Sequence, residues 1–316
     1  MLGIPPAEGR RLLLRWLAES APEAATEPVL LGAGMEGAVF DLGDGLVAKV
    51  WFARPAAALG ASQAFYRRLA ARPLGFAVPR IDRIGEVAGH AVTLERRLAG
   101  RSLAEVVRAG APGRAQATLL DVLAGLAGAG GLPAARALPA LDERRPVCAG
   151  AEDFPQALAA LAERQVARSG PLLRAAVGEL DRKVAALGGR LAEVDSGRRA
   201  VVHGDLVPDN VLVDQDGRVR AVLDWGFLTT EGDPAFDAAV TAAIFTMYGP
   251  DALATELAFR DRVAERLGYD RTALLVYRAA YSMITATAYD PAGADGHFAW
   301  CARALDRPDV VAALLG

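Results

Sequence analysis

Between Glu27 and Phe52 short apolar runs alternate with glycines in the order EPVLLGAGMEGAVFDLGDGLVAKVWF. The break DLGDG carries turn chemistry between two runs rich in Val and Phe. This spacing predicts a hairpin of residues 37–42 with 46–52. Leu59, Ser62, Phe65 or Tyr66, and Leu69 then recur at helical spacing. VPRIDRIGEV and HAVTLERRL return to strand-like runs, so strands, a helix and two more strands form a small lobe ending near Leu98. From Arg101 the pattern turns to long helices. Ser102 is a plausible N-cap, Pro112 and Gly113 separate two helical stretches, and Gly170–Pro171 breaks a helical region spanning residues 152–187. RRAVVHGDLVPDNVLVDQDGRVRAVLDWG goes back to strands, with DQDG turning between residues 211–213 and 219–223. From Asp233 the chain reads as helices. The expected class is α+β: residues 1–98 a small lobe with antiparallel strands and one main helix, residues 99–316 a larger helical lobe.

Composition narrows the function classes. At 53% hydrophobic over 316 residues the chain can bury a sizeable core. A net charge of −3 with scattered arginines gives no footprint for nucleic acid. No window reaches the roughly 18 uncharged apolar residues of a membrane span. The start, MLGIPPAEGRRLLLRWLAES, reads as a short charged amphipathic helix rather than a leader. Cys148 and Cys301 have no metal or redox spacing and read as reduced thiols, so a cytoplasmic location is expected.

GAGMEGAV places Gly32, Gly34, Gly37 and Val39 in the pattern G-x-G-x-x-G-x-V. A dinucleotide fingerprint needs a helix directly after the glycines. A hairpin follows here instead, which fits the kinase arrangement of a glycine-rich strand–turn–strand covering nucleotide phosphates. Lys49 sits on the paired strand, and alternation puts it on one face with Val47, opposite Ala48 and Val50. A lysine on a half-buried strand calls for an anion; the alternative is an edge-strand lysine that blunts aggregation.

HGDLVPDN, residues 203–210, supplies Asp205 and Asn210, and VLDWG supplies Asp224 after the intervening hairpin. A hairpin brings its ends together, so Asn210 and Asp224 form a plausible pair of hard oxygen ligands for Mg²⁺. Asp205 lies on the loop before them, free to face a substrate hydroxyl. His203 reads as a packed, hydrogen-bonded residue and Asp209 as solvated. In GDPAFD, Asp233 reads as an N-cap with Pro234 at the first helical position, and Asp237 as support for the same helix start.

Together the glycine loop, Lys49, HGDLVPDN, VLDWG and the run GDPAFDAA resemble the aminoglycoside phosphotransferase family, a branch of the protein-kinase-like fold. The likeness runs from about Leu30 to Ala243. It implies a bilobal fold and Mg²⁺-dependent transfer of phosphate from ATP or GTP to a hydroxyl of a small molecule, such as an aminoglycoside or another antibiotic. An amino alcohol or a sugar is the alternative acceptor. It implies Asp205 as catalytic base, Asn210 and Asp224 as metal ligands, Gly32, Gly34, Gly37 and Lys49 as phosphate contacts, and residues 93–100 as the adenine-binding hinge, with Glu95 and Arg96 at the nucleotide.

Two departures stand out. No Asp or Glu occurs between Lys49 and Asp82, where a kinase carries the glutamate that pairs with its lysine. A neutral group, a carboxylate from elsewhere, or a non-catalytic nucleotide-binding role would each answer this. Eight residues separate Asp224 from Asp233, with no A-P-E after them. That leaves no room for a phosphorylation-controlled platform and favours a small-molecule acceptor over a protein. Glu152, Asp153, Glu231 and Asp295 are candidates for an acidic pocket, though each also reads as a surface charge; Tyr248, Tyr277 and Tyr281 read as core.

Overall fold

A computed structural model describes residues 5–24, 27–34, 36–52, 54–141, 143 and 145–316. Met35 of the glycine loop and the first four residues of the opening stretch lie outside the described residues. The chain divides into two compact units, Met1–Gly100 with Arg220–Leu223, and Arg101–Val219 with Asp224–Gly316.

In the first unit, α1 (Pro6–Ser20) precedes β1 (Val29–Ala33), β2 (Gly37–Gly43), β3 (Leu46–Trp51), α2 (Ala56–Leu69), β4 (Ile81–Val87) and β5 (His90–Arg96). The strands form one antiparallel sheet in the order β1-β2-β3-β5-β4. The expected hairpin is β2 with β3, in a register that sets Val39 opposite Lys49. At its turn Asp44 and Gly45 take φ of 49° and 72°, and Asp41 Oδ1 accepts the Gly43 N–H at 3.1 Å.

Alternation along β3 decides which helix covers which face. Ala48 and Val50 join Leu13, Trp16 and Leu17 of α1 in one core with Phe40 and Val92. Trp51, on the Lys49 face, packs with Leu59 of α2 and Ala91. The buried face of α2 comprises Leu59, Ser62, Phe65, Tyr66 and Leu69, the expected set. A second flanking helix, α1, adds to the main one.

The second unit opens with β6 (Arg101–Ser102), α3 (Leu103–Arg108), α4 (Pro112–Ala129), α5 (Phe154–Ala176) and α6 (Leu180–Val194). Ser102 caps α3 by accepting the Ala104 N–H at 3.1 Å. Gly170, at φ 45° before Pro171, kinks α5 where the sequence breaks. Then follow β7 (Ala200–Val202), β8 (Val211–Val213), β9 (Val219–Val222) and β10 (Thr230–Gly232). β6 pairs with β8, and β10 pairs antiparallel with β7. β10 is an addition to the expected elements: three residues next to a Gly-Asp-Pro turn carry too little periodicity to read. The chain closes with α7 (Pro234–Ile244), α8 (Ala252–Leu267), α9 (Arg271–Thr285), α10 (Gly296–Leu305) and α11 (Pro308–Leu315). Every residue of α7 is buried. Its small side chains let α8 and α9 close over it. Both cysteines are free and buried, and no described helix is long and apolar enough to cross a membrane.

Gly85 of β4 is a close-approach glycine. A Cβ there would lie 2.2 Å from Nε1 of Trp16, itself only 2% exposed. Gly85→Ala should therefore cost about 1–3 kcal/mol by overpacking α1 against the sheet, read as a lower urea midpoint at unchanged m-value.

Candidate active site

The segment 203–210 leaves β7 and must turn sharply before β8. Gly204 makes that turn at φ 78°, and a Cβ there would meet Leu228 Cβ at 2.5 Å. Two backbone donors of the turn, the N–H groups of His203 and Gly204, point to the two oxygens of one carboxylate. Asp237 Oδ2 accepts from His203 and Oδ1 from Gly204, both at 2.9 Å. Asp237 is 2% exposed. Burial pushes its carboxyl above the ordinary value, against the lowering pull of His203 and of the two N–H bonds. Asp237 lies in the first turn of α7, as expected from sequence, and in addition holds the loop. Asp233 does the capping: Oδ1 accepts the Ala235 N–H at 2.8 Å, while Oδ2 takes the Ser196 N–H at 2.7 Å and the Tyr277 hydroxyl at 3.1 Å.

His203 is scaffolding in fact. It is fully buried, lies 4.5 Å from the Trp225 ring, and its Nδ1 accepts the Asp205 N–H at 3.2 Å. Asp205 is thereby presented at the partly exposed apex of the loop, and Asp209 is exposed. Asn210 is fixed by its amide: Nδ2 donates to the Asp205 carbonyl at 2.8 Å. That bond commits the nitrogen and leaves Oδ1 as the atom with metal-ligand chemistry. Asp224 is exposed and sits at φ 59°, a left-handed conformation uncommon outside glycine. The residues after it are pinned. Thr229 Oγ1 accepts from the Gly226 N–H at 2.8 Å and donates to the His203 carbonyl at 2.9 Å. Thr229 and Thr230 are at most 1% exposed.

Aromatic rings stand near Asp205. Burial first, then the Asp205 charge, pushes the phenols of Tyr281 and Tyr289 above their ordinary values. Tyr289 stacks on Phe227 at 6.0 Å and meets the edge of His297 at 4.7 Å. Tyr277 and Tyr281 are core residues as expected, but Tyr248 is 51% exposed and its hydroxyl reaches His297 Nδ1 at 3.4 Å. It lies in the turn after α7, with its hydroxyl against the start of α10. Of the acidic candidates, Asp153 and Asp295 cap α5 and α10. Glu231 lies 4.0 Å from Arg136, and Glu152 is exposed.

In the first unit Gly32 and Gly34 have open space where a Cβ would stand, while a Cβ on Gly37 would lie 2.3 Å from the Val50 carbonyl oxygen. Gly37 is thus required by the β3 backbone, and Gly32 and Gly34 leave the loop accessible. The Gly34 N–H closes the loop on the Gly37 carbonyl at 2.9 Å. Lys49 meets a carboxylate from within the loop: Glu36 Oε2 lies 3.2 Å from its ammonium, and Glu36 Oε1 takes Arg54 at 2.6 Å. The Lys49 ammonium also stands 3.8 Å over the Trp51 ring. So a carboxylate from elsewhere answers the missing helix glutamate. Glu95 accepts the Thr93 hydroxyl at 2.6 Å and Arg96 pairs with Asp82 at 3.0 Å, both at the end of β5. Sequence reading did not single out Glu36 and Thr229, and it read Asp237 only as helix-start chemistry, without its bonds to the loop. The i, i+4 pairing of Asp233 and Asp237 on an otherwise apolar helix was the signal for Asp237.

The profile of the phosphotransferase enzyme family matches residues 28–275. A thermostable mutant of aminoglycoside phosphotransferase APH(4)-Ia, solved with AMP-PNP and hygromycin B, is similar in structure with a TM-score of 0.69 at 19% identity, covering 96% of this chain and 99% of that one. Aminoglycoside phosphotransferase APH(3'')-Id from Streptomyces rimosus, solved with ADP and streptomycin, gives 0.56 at 22% identity, with 89% and 99% covered. At these identities the likeness is one of fold. No curated protein sequence matches the chain.

Asp237→Asn would set an amide N–H₂ against a backbone donor. It should cost about 1–3 kcal/mol in chemical denaturation and lower turnover more than it changes the KM for nucleotide.

Proposed function

Because this chain belongs to the phosphotransferase enzyme family, we propose that it moves the γ-phosphoryl group of ATP or GTP onto a hydroxyl of an antibiotic-like small molecule. The observation that carries this reading is the loop 203–210: Asp237 fixes its backbone, and Asn210 Nδ2 locks onto the Asp205 carbonyl. A carboxylate held on a rigid, partly exposed apex can accept the hydroxyl proton as the acceptor oxygen bonds to the γ-phosphorus. The bond from that phosphorus to the bridging oxygen breaks, the nucleoside diphosphate leaves, and Asp205 returns the proton to solvent.

Asn210 Oδ1 and the Asp224 carboxylate are hard oxygen donors of the kind Mg²⁺ takes from protein. They are the residues that would hold it, and the ion would neutralise charge on the phosphates. The glycine loop and Lys49 are assigned to the phosphates, and residues 93–100, with Glu95 and Arg96, to the nucleotide base. The solved neighbours hold nucleotides with hygromycin B or streptomycin, which supports a hydroxylated acceptor of that kind.

Burial of Thr229 and Thr230 supports activity without prior phosphorylation. Phosphatase-treated and untreated protein should turn over equally. Asp205→Asn should lower turnover about 10²–10⁴-fold in a coupled assay while nucleotide still binds by titration. Transfer at the unsubstituted rate would remove Asp205 from the chemistry.

A further inference from the structure

The helices after Asp233 line a half-open cavity of about 500 Å³ whose residues have no role in the proposed chemistry. Its walls are largely apolar, with Leu253, Ala299 and Trp300 among them. Its charged lining is Arg278, Arg303, Arg307 and Glu256. Glu256 is almost fully buried. Burial pushes its carboxyl up, but Arg278 and Arg307 more than offset this and hold it below the ordinary value. One oxygen of that carboxylate, Oε1, takes both Arg278 Nε at 3.2 Å and Arg307 Nη1 at 2.7 Å.

Each arginine has further partners. Arg278 Nη1 donates to Ser282 Oγ, and its guanidinium lies 3.8 Å over the Trp300 ring. Arg307 Nε donates to Asp309 Oδ1 at 2.6 Å, and Asp309 also takes Arg260 Nη1 at 2.8 Å. After these bonds the Nη2 of Arg278 and the Nη2 of Arg307 remain buried with no hydrogen-bond partner. Arg278 is only 2% exposed. Across the network three arginines (260, 278, 307) face two carboxylates (256, 309), an excess of one positive charge, and Arg303 adds another on the exposed rim of the cavity. A cluster of guanidinium groups beside an apolar cavity, with more positive than negative charge, is suited to an anion.

We infer that this cavity is a binding site for a small organic anion, a carboxylate or phosphate ester whose acidic group meets Arg278, Arg303 and Arg307 and whose apolar body lies along Leu253, Ala299 and Trp300. Its volume falls in the range of ordinary ligand pockets. The site takes the opposite charge from a polycationic aminoglycoside. None of its lining residues has a role in the proposed transfer reaction, so the binding stands or falls separately from that reaction.

The test uses the full chain without nucleotide and four probes of one body: benzoate, phenyl phosphate, benzylamine and benzyl alcohol. Isothermal titration should show saturable binding of benzoate or phenyl phosphate and none of the amine or the alcohol. Whichever of the two anions binds more tightly identifies carboxylate or phosphate ester as the preferred group. Arg303→Ala, at an exposed position on the rim, should weaken that binding about fivefold. Ala299→Trp, which fills the cavity and leaves its charges in place, should abolish it while nucleotide binding persists. The site is refuted if neither anion saturates below about 10 mM, if the alcohol or amine binds as well, or if folded Ala299→Trp protein still binds the anion.

Discussion

The site rests on one buried carboxylate. Asp237 receives two backbone N–H groups from the turn that presents Asp205. A charged group at 2% exposure is unfavourable by itself. It is tolerated because the turn, with Gly204 at positive φ, aims two adjacent donors at its two oxygens. The same helix start carries Asp233, which ties Ser196, Tyr277 and the first turn of α7 together. Two acids one helical turn apart therefore join three segments that are distant in sequence, and the loop is as rigid as the helix it leans on.

The first unit solves a different electrostatic problem. Its lysine stands on a strand face covered by Trp51, and the carboxylate near it comes from the glycine loop instead of the adjacent helix. Glu36 also binds Arg54, so one acid bridges two cations across the end of the hairpin. The loop can carry that acid because Gly34 and Gly37 let the backbone close on itself around it.

Much of this was legible in the sequence. DLGDG signalled a hairpin because turn residues at positive φ are few, and the α2 face appeared because the spacing from Leu59 to Leu69 is helical over about three turns. Ser102 and Asp233 were readable as caps because capping is local. What was hidden is non-local. The partner of Lys49 lies upstream of it, where nothing in the spacing points, and Asp237 looks like helix-start chemistry until β7 is seen against α7. Tyr248 shows the reverse error: an aromatic near apolar helices reads as core, yet it falls in a turn and stays half exposed. Arg278 and Arg307 drew no notice in sequence because a buried cation network depends on which helices meet.

The residues after Asp224 have one further consequence. Trp225 is packed on His203, and the hydroxyls of Thr229 and Thr230 are turned inward. In the folded chain neither hydroxyl is open to covalent modification. Through this stretch, output would then scale with the number of molecules made and with the supply of nucleotide and acceptor.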